Sequence, residues 1–217
     1  ADCTGTYLFD GWDEYLVSDF FRINHLRCGV PTSRPSSSGG GAWLGQADCS
    51  STLTNPAAQY DPSGGLYRIP VVVHVIQHTN GSGAISDALV HSQIAVLNED
   101  FKALPGSLGA PGTDTQIEFF LATTDPSGNP TTGITRSTNS TWYNDGGSYW
   151  NSLAWDTTRY LNIYTNAAGG NLGYAYVPNG GGVVGAIWDR VVILSTAFGR
   201  NSALAPYDLG RTTTHEV

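Results

Sequence analysis

Methionine is absent from the 217 residues, and basic side chains are scarce: ten Lys and Arg stand against eighteen Asp and Glu. The resulting net charge of −8 repels phosphate backbones, and no cluster of Lys or Arg offsets it, which argues against nucleic-acid binding. No apolar run approaches the roughly 20 residues that cross a bilayer, which excludes a membrane-spanning helix. The chain begins at Ala1 without an initiator methionine, as expected for a secreted protein whose signal peptide has been removed.

Cysteine is missing after the first quarter of the chain. The three cysteines, Cys3, Cys28 and Cys49, make an odd number, and in a secreted protein the leftover thiol requires an explanation. One interpretation pairs Cys3 with Cys49 and leaves Cys28 free to bind a metal. In the alternative, one cysteine pairs with a segment outside this sequence. Both interpretations stay open at this point.

Charged residues make up only 13% of the sequence, whereas 40% is hydrophobic and glycine occurs 27 times. This composition predicts a packed core with many tight turns, as in an extracellular protein of mixed sheet and helix. Residues 31–64 are rich in Ser, Gly, Pro and Asn, which is typical of an exposed linker that proteases cut. We therefore predict a domain boundary near 60–65, preceded by an apolar segment with helical spacing at 7–27.

Strand and helix signals follow this boundary. The β-branched run at 67–76 predicts a buried strand, and Ser86 is a good N-cap for a helix over 87–104. Further strands are predicted at 116–122, 160–165, 172–177 and 189–195. The strand that ends before Pro178 is expected at a sheet edge, where proline is tolerated. This order of elements predicts a single α/β or α+β layer.

His215 and Glu216 form the first half of the pattern H-E-x-x-H. In that pattern two histidines on one face of a helix hold zinc, and the glutamate is the general base. A His-Glu pair by itself is weak evidence, since such side chains usually lie on solvated helix surfaces. The run at 210–217, GRTTTHEV, would be too short for a stable helix, so we expect the sequence to be a fragment.

The run at 210–217 resembles the start of the active-site helix of the pappalysin family, zinc metalloproteases of the metzincin clan. The resemblance covers roughly 65–217 through matching segments in the same order: 69–76, 98–101, 133–136, 161–164, 172–175 and 189–193. It implies a metzincin-like upper catalytic subdomain over 61–217, with a twisted mixed sheet and packed helices. It also implies that His215 is the first zinc ligand and Glu216 the general base. The remaining histidines and the Met-turn of the pattern lie past Val217, so we expect this chain alone to be inactive.

The same resemblance implies that the edge strand pairs with an extended peptide substrate by strand addition. Gly173, Tyr174, Ala175 and Tyr176 are therefore the predicted substrate-binding residues. For the two tyrosines the alternative is that their side chains simply face solvent or the core.

Cys28, between Arg27 and Gly29, resembles the cysteine switch of metzincin pro-segments. A thiolate binds zinc at about 2.3 Å and would occupy the position that the reacting water needs. We therefore predict a latent zymogen in which residues 1–60 form an inhibitory pro-segment, removed by cleavage within 31–64. In the alternative, Cys28 is a disulfide partner and this segment is a small stapled extension.

The other histidines receive no zinc role. His74 lies within a run of Val and Ile and is predicted to be a hydrogen-bonded core residue, and His25, His78 and His91 lack a second ligand at a useful spacing. Calcium is common in the pappalysin family, so the resemblance also implies calcium binding, without assigned ligands.

Two other functions stay open. One is a secreted, non-catalytic module that binds a protein or a glycan, and the other is a self-inhibited fragment held to its missing half as a two-chain particle.

Overall fold

A computed structural model of the chain describes residues 65–110, 112–176, 183 and 185–217. The predictions made for the pro-segment at 1–60, its apolar segment at 7–27, the linker at 31–64 and the three cysteines lie outside the described residues.

The described residues form six strands and four α-helices. In chain order these are β1 (Tyr67–Gln77), α1 (Asp87–Phe101), β2 (Ile117–Leu121), β3 (Ile134–Thr138), α2 (Ser140–Tyr143), α3 (Trp150–Leu153), β4 (Leu161–Asn166), β5 (Gly173–Ala175), β6 (Val191–Leu194) and α4 (Arg211–Glu216). Two short 3₁₀ turns lie at Ala168–Gly170 and Ser195–Ala197.

The six strands make one mixed sheet in the order β2-β1-β4-β6-β5, with β3 also paired to β1. The eleven residues of β1 are long enough to pair with β2 along one half and with β3 along the other, both in parallel. Strands β4 and β6 continue the sheet in parallel, whereas β5 runs antiparallel to β6 at the far edge. The predicted α/β class, the mixed sheet and the edge position of the strand near 172–177 are therefore confirmed.

Side chains alternate along β1 between the two faces of the sheet. One face packs against α1 in the main core, whose members include Val71, Val73, Val75, Val90, Ile94 and Leu97. Full burial of an aliphatic side chain of this kind contributes about 1.5–3 kcal/mol to folding. The other face carries His74 and Ile76 and is covered by α2, α3 and a group of aromatic rings.

Several boundaries differ from the sequence-based prediction. The helix predicted over 87–104 ends at Phe101, because Lys102 leaves the helical conformation and Ala103 has a positive φ of 47°. Its start is as predicted, since the Ser86 side chain accepts a hydrogen bond from the Leu89 amide at 3.2 Å. Strand β3 was not predicted, because its residues ITRST show no regular apolar alternation. None of the helices in the described part of the chain is long and apolar enough to cross a membrane.

Candidate functional site

Helix α4 carries both residues of the candidate metal pattern. It begins after Gly210, whose φ of 75° is left-handed and therefore suits glycine, and it lies against β5, β6 and α1. His215 is exposed, whereas Glu216 is 8% exposed and points toward the sheet. The two side chains therefore lie on different sides of the same short helix.

Gly173 of the edge strand lies directly against Glu216. A Cβ atom built at residue 173 would lie 3.0 Å from the Glu216 Cγ atom and 2.9 Å from the Ile193 Cδ1 atom. Only a residue without a side chain allows the helix to approach the strand so closely. The structure thus brings together two of the predicted site residues, the candidate general base and the first residue of the candidate substrate strand.

Asp100, near the end of α1, anchors the middle of α4. Its Oδ2 atom accepts a hydrogen bond of 2.7 Å from the Thr214 hydroxyl. Its Oδ1 atom forms an ion pair with the Arg211 guanidinium, 2.9 Å from Nη2. The Asp100 side chain is only 7% exposed, so these contacts stabilise a carboxylate that has lost most of its water. The hydrogen bond from Thr214 to this charged group contributes about 1.5–3 kcal/mol.

Gln93 fixes the point at which α4 begins. This side chain is fully buried, its Nε2 atom donates to the Gly210 carbonyl at 2.8 Å, and its Oε1 atom accepts from the Gly199 amide at 2.7 Å. Sequence reasoning missed both Gln93 and Asp100. Their separation of seven residues puts them on the same face of α1, and a polar pair on the inward side of a helix was the signal that could have found them.

The two tyrosines of the predicted substrate strand point away from α4. Tyr174 is 7% exposed, and its hydroxyl donates to the Asp145 carboxylate at 3.0 Å. Tyr176 packs edge-on against Trp188, with ring centroids 5.2 Å apart. Both side chains therefore pack within an aromatic group on the opposite face of the sheet, as in the alternative that they face the core, while the backbone of β5 lies at the sheet edge.

His74 is the hydrogen-bonded core residue that the sequence predicted. Its Nδ1 atom lies 2.7 Å from the Thr135 hydroxyl, its Nε2 atom lies 3.0 Å from Asn162 Oδ1, and its ring stacks on Tyr164 with centroids 4.6 Å apart. Burial lowers the pKa of His74 to about 4, so the ring stays neutral at physiological pH.

Within the described ranges, no three His, Cys, Asp or Glu side chains lie close enough together to hold a metal ion. His91 is exposed on α1, and His78 is half-buried beyond the end of β1, edge-on to Tyr143. His215 is therefore the one predicted zinc ligand that the described residues contain.

The curated relatives to which the chain is similar are extracellular metalloproteases, and no protein-family model matches it. An extracellular metalloprotease of Colletotrichum graminicola is 35% identical over 156 residues, which are 69% of this chain and 48% of the fungal protein. A mutant of Tannerella forsythia promirolysin superposes with a TM-score of 0.56 and 40% identity, over 70% of this chain and 54% of that one. Mature mirolysin of the same organism, solved with a cleaved peptide, gives 0.54 and 41%, over 70% of this chain and 62% of its own.

These relatives support the coarse part of the sequence-based prediction. Homologues of the chain are extracellular metalloproteases, and its fold is the metzincin-like fold of mirolysin. The chain spans about half the length of the curated relative that it matches.

Proposed function

We propose that this chain is part of a secreted zinc endopeptidase of the pappalysin family that is made as a latent zymogen. In this proposal residues 61–217 form the upper subdomain of the catalytic domain. The homologous extracellular metalloproteases and the solved mirolysin structures support it, since the relatives in both groups match about 70% of the chain. The alternative of a non-catalytic binding module receives no support from these relatives.

One observation carries the proposal. Helix α4 presents an exposed imidazole at His215 and, at the next residue, a carboxylate whose stem packs on the antiparallel edge strand. Imidazole is a common zinc ligand, and a buried glutamate beside it suits a general base, so the donor chemistry fits a zinc site. The other ligands would come from residues after Val217, in the half of the protease that this chain does not span.

The proposed reaction is hydrolysis of a peptide bond. Zinc, when bound, polarises the scissile carbonyl and makes water a stronger acid. Glu216 would take the proton from the attacking water and deliver it to the leaving amine. The contact with Gly173 would hold the Glu216 side chain beside the edge strand, and the edge strand would pair with an extended substrate from Gly173 to Tyr176.

Latency is proposed to depend on Cys28. Its thiolate would bind zinc in the resting precursor, and cleavage within 31–64 would remove it together with the pro-segment. Cys3 and Cys49 would then pair with each other, which accounts for the odd number of cysteines. Calcium binding stays a proposal by analogy with the family, without assigned ligands.

A metal and activity measurement on the full-length protein tests the proposal. We expect chelator-sensitive cleavage of casein after activation, bound zinc near one equivalent, loss of both in His215→Ala, and loss of cleavage with zinc retained in Glu216→Gln. His91→Ala, at an exposed position on α1, is the control and should match the wild type. Full activity in Glu216→Gln, or a preparation of wild type without zinc, would contradict the proposal.

This chain expressed by itself is proposed to be inactive. Chelator-sensitive cleavage by residues 1–217 alone would argue against ligands after Val217, and mass spectrometry of the native protein would detect a companion chain if the protease is a two-chain particle.

A further inference from the structure

The Asp145 carboxylate accepts hydrogen bonds from three side chains on the face of the sheet opposite α4. Its Oδ1 atom accepts from the Tyr149 hydroxyl at 2.8 Å and from Asn166 Nδ2 at 3.0 Å, and both carboxylate oxygens lie 3.0 Å from the Tyr174 hydroxyl. Tyr174 belongs to the edge strand β5, whereas Asp145, Tyr149 and Asn166 belong to segments that cover the sheet or cross its middle. The carboxylate therefore ties the edge strand to the body of the subdomain.

Both tyrosines donate to this carboxylate rather than accept. Burial raises the pKa of Tyr149 and of Tyr174 well above the ordinary value, and the nearby Asp145 charge raises both further, so the hydroxyls keep their protons. A neutral hydroxyl that donates to a carboxylate makes a charge-assisted hydrogen bond, which is stronger than a bond between two neutral groups.

Arg190 encloses the same group from the side of β6. It is 4% exposed, and its guanidinium carbon lies 3.8 Å from the centroid of the Trp150 ring and 5.0 Å from that of Tyr176. Among the described residues no carboxylate forms an ion pair with Arg190. Its guanidinium is held by stacking on aromatic faces and by a hydrogen bond of 3.0 Å from Nη1 to the Trp188 carbonyl. One of these rings, Tyr176, directly follows β5.

Strand β5 needs such support because it is short and pairs with one neighbour. It has three residues and, in the part of the chain that the structure describes, pairs with β6 alone. A short edge strand with one partner is held weakly by its ladder alone. Its two faces are nevertheless fixed differently: Gly173 lies against Glu216 on one side, and Tyr174 is bonded to Asp145 on the other.

We propose that Asp145 and Tyr174 form a latch that positions the β5 backbone for pairing with the substrate. The inference rests on the proposed protease function and deepens it. Tyr174 is a positioning residue here, since its side chain faces away from α4 and acts through the strand that carries it. Backbone pairing binds the substrate in the ground state and in the transition state alike, so loosening the latch should raise KM and leave kcat nearly unchanged.

The chain provides a matched control for this idea. Tyr149 and Tyr174 donate to the same carboxylate, lie 3.2 Å apart at their hydroxyls, and are both buried, but only Tyr174 belongs to the edge strand. Tyr149→Phe therefore removes a comparable hydrogen bond and leaves β5 attached. If the Tyr174 hydroxyl contributed only to stability, Tyr174→Phe and Tyr149→Phe would have the same KM.

The test compares Tyr174→Phe with Tyr149→Phe in the activated full-length protein. We expect Tyr174→Phe to raise KM for an extended peptide of about eight residues five- to tenfold with kcat within twofold, and to speed amide hydrogen exchange at Gly173–Ala175. Tyr149→Phe should keep KM and the amide exchange rate at Gly173–Ala175 within twofold of the wild-type values, even if it lowers the unfolding temperature by the same amount as Tyr174→Phe. Equal KM values in the two variants would overturn the latch.

Measurements on the wild type and on the variants distinguish failure of the protease function from failure of the latch. If the wild type shows no zinc-dependent hydrolysis, the proposed function is wrong, and substrate positioning by Tyr174 falls with it. If the wild type is active and the variants behave alike, only the latch is wrong.

Discussion

Gly173 and Glu216 lie so close that a methyl group on residue 173 would approach the Glu216 Cγ atom to 3.0 Å. The contact joins the edge strand to the helix that carries the candidate metal ligand and the candidate base. A side chain at 173 would meet the Ile193 methyl at 2.9 Å and the Val192 carbonyl at 3.1 Å as well, so it has no free space in which to turn. The position of the Glu216 carboxylate therefore depends on the absence of a Cβ atom at residue 173.

Gly173→Ala should lower kcat/KM by about 10- to 100-fold, because a displacement of the base or the strand by a fraction of an ångström to 1 Å can have effects of this size. Zinc content should stay unchanged, since His215 points away from this contact. The measurement is peptide hydrolysis by the activated protein, with bound zinc determined on the same sample. Gly128→Ala is the control, since residue 128 is exposed and a Cβ atom there would have no neighbour within 4 Å. Wild-type kcat/KM in Gly173→Ala would show that the contact does not position Glu216.

Removal of the Asp100 carboxylate should weaken the hold on zinc. Thr214, which Asp100 binds, precedes His215 directly, so Asp100→Ala frees the turn of α4 that carries the ligand. Mutation of a residue that orients a metal ligand typically weakens metal affinity by 10- to 100-fold. We therefore expect Asp100→Ala to release zinc to a chelating dye about tenfold faster than the wild type does. Thr214→Val removes one hydrogen bond and should have a smaller effect.

Glu118→Gln is the matched control for this series. Glu118, on strand β2, also has two side-chain partners, the cations Arg68 and Lys102, but these pairs lie at the surface. Surface ion pairs contribute little to stability, so zinc release should match the wild type. Equal release rates in Asp100→Ala and Glu118→Gln would contradict the role given to Asp100.

The parts of the fold that sequence predicted well are those with a strong local signal. The β-branched run of β1 and the Ser86 cap of α1 depend on neighbouring residues only, and both are present in the structure. The edge position of β5 followed from Pro178. Each of these features can be recognised without knowing which distant segment packs against it.

The parts that sequence did not predict depend on distant contacts. Strand β3 has the residues ITRST and is held by pairing with β1, not by its own pattern. Asp145 adopts a positive φ of 61° in a turn and bonds to Tyr174, which is 29 residues away, so no local spacing could indicate their contact. Tyr174 and Tyr176 gave no signal of which face of the sheet they would occupy, because apolar periodicity cannot be read from a strand of three residues.

Cys28→Ala should speed activation of the full-length precursor if its thiolate binds zinc. Without this ligand the metal stays accessible to water, so activity should develop several-fold faster and a fraction should be present before the pro-segment is cleaved. The measurement is the lag before peptide hydrolysis in purified precursor. Cys3→Ala is the control, since it should lower stability through loss of a disulfide without shortening this lag. An unchanged lag in Cys28→Ala would favour the interpretation of Cys28 as a disulfide partner.

The buried imidazole of His74 should make stability depend on pH. Its pKa is about 4 in the folded protein and about 6.5 in an unfolded chain, so between these values the unfolded state binds a proton that the folded state does not. The contribution of His74 to stability is therefore complete above pH 6.5 and declines as the pH falls toward 4, by up to roughly 3 kcal/mol in total. We expect the urea midpoint, followed by tryptophan fluorescence, to fall between pH 7.5 and pH 4.5.

His74→Gln separates this contribution from those of the other titrating groups. Glutamine keeps a donor and an acceptor for Thr135 and Asn162 but does not titrate, so its urea midpoint should be lower at pH 7.5 and should fall less steeply on acidification. His91→Gln, at an exposed position, should keep the wild-type slope. If wild type and His74→Gln lose stability in parallel over this range, protonation of the unfolded-state imidazole is not what weakens the fold in acid, and the neutral His74 ring contributes through packing and hydrogen bonding alone.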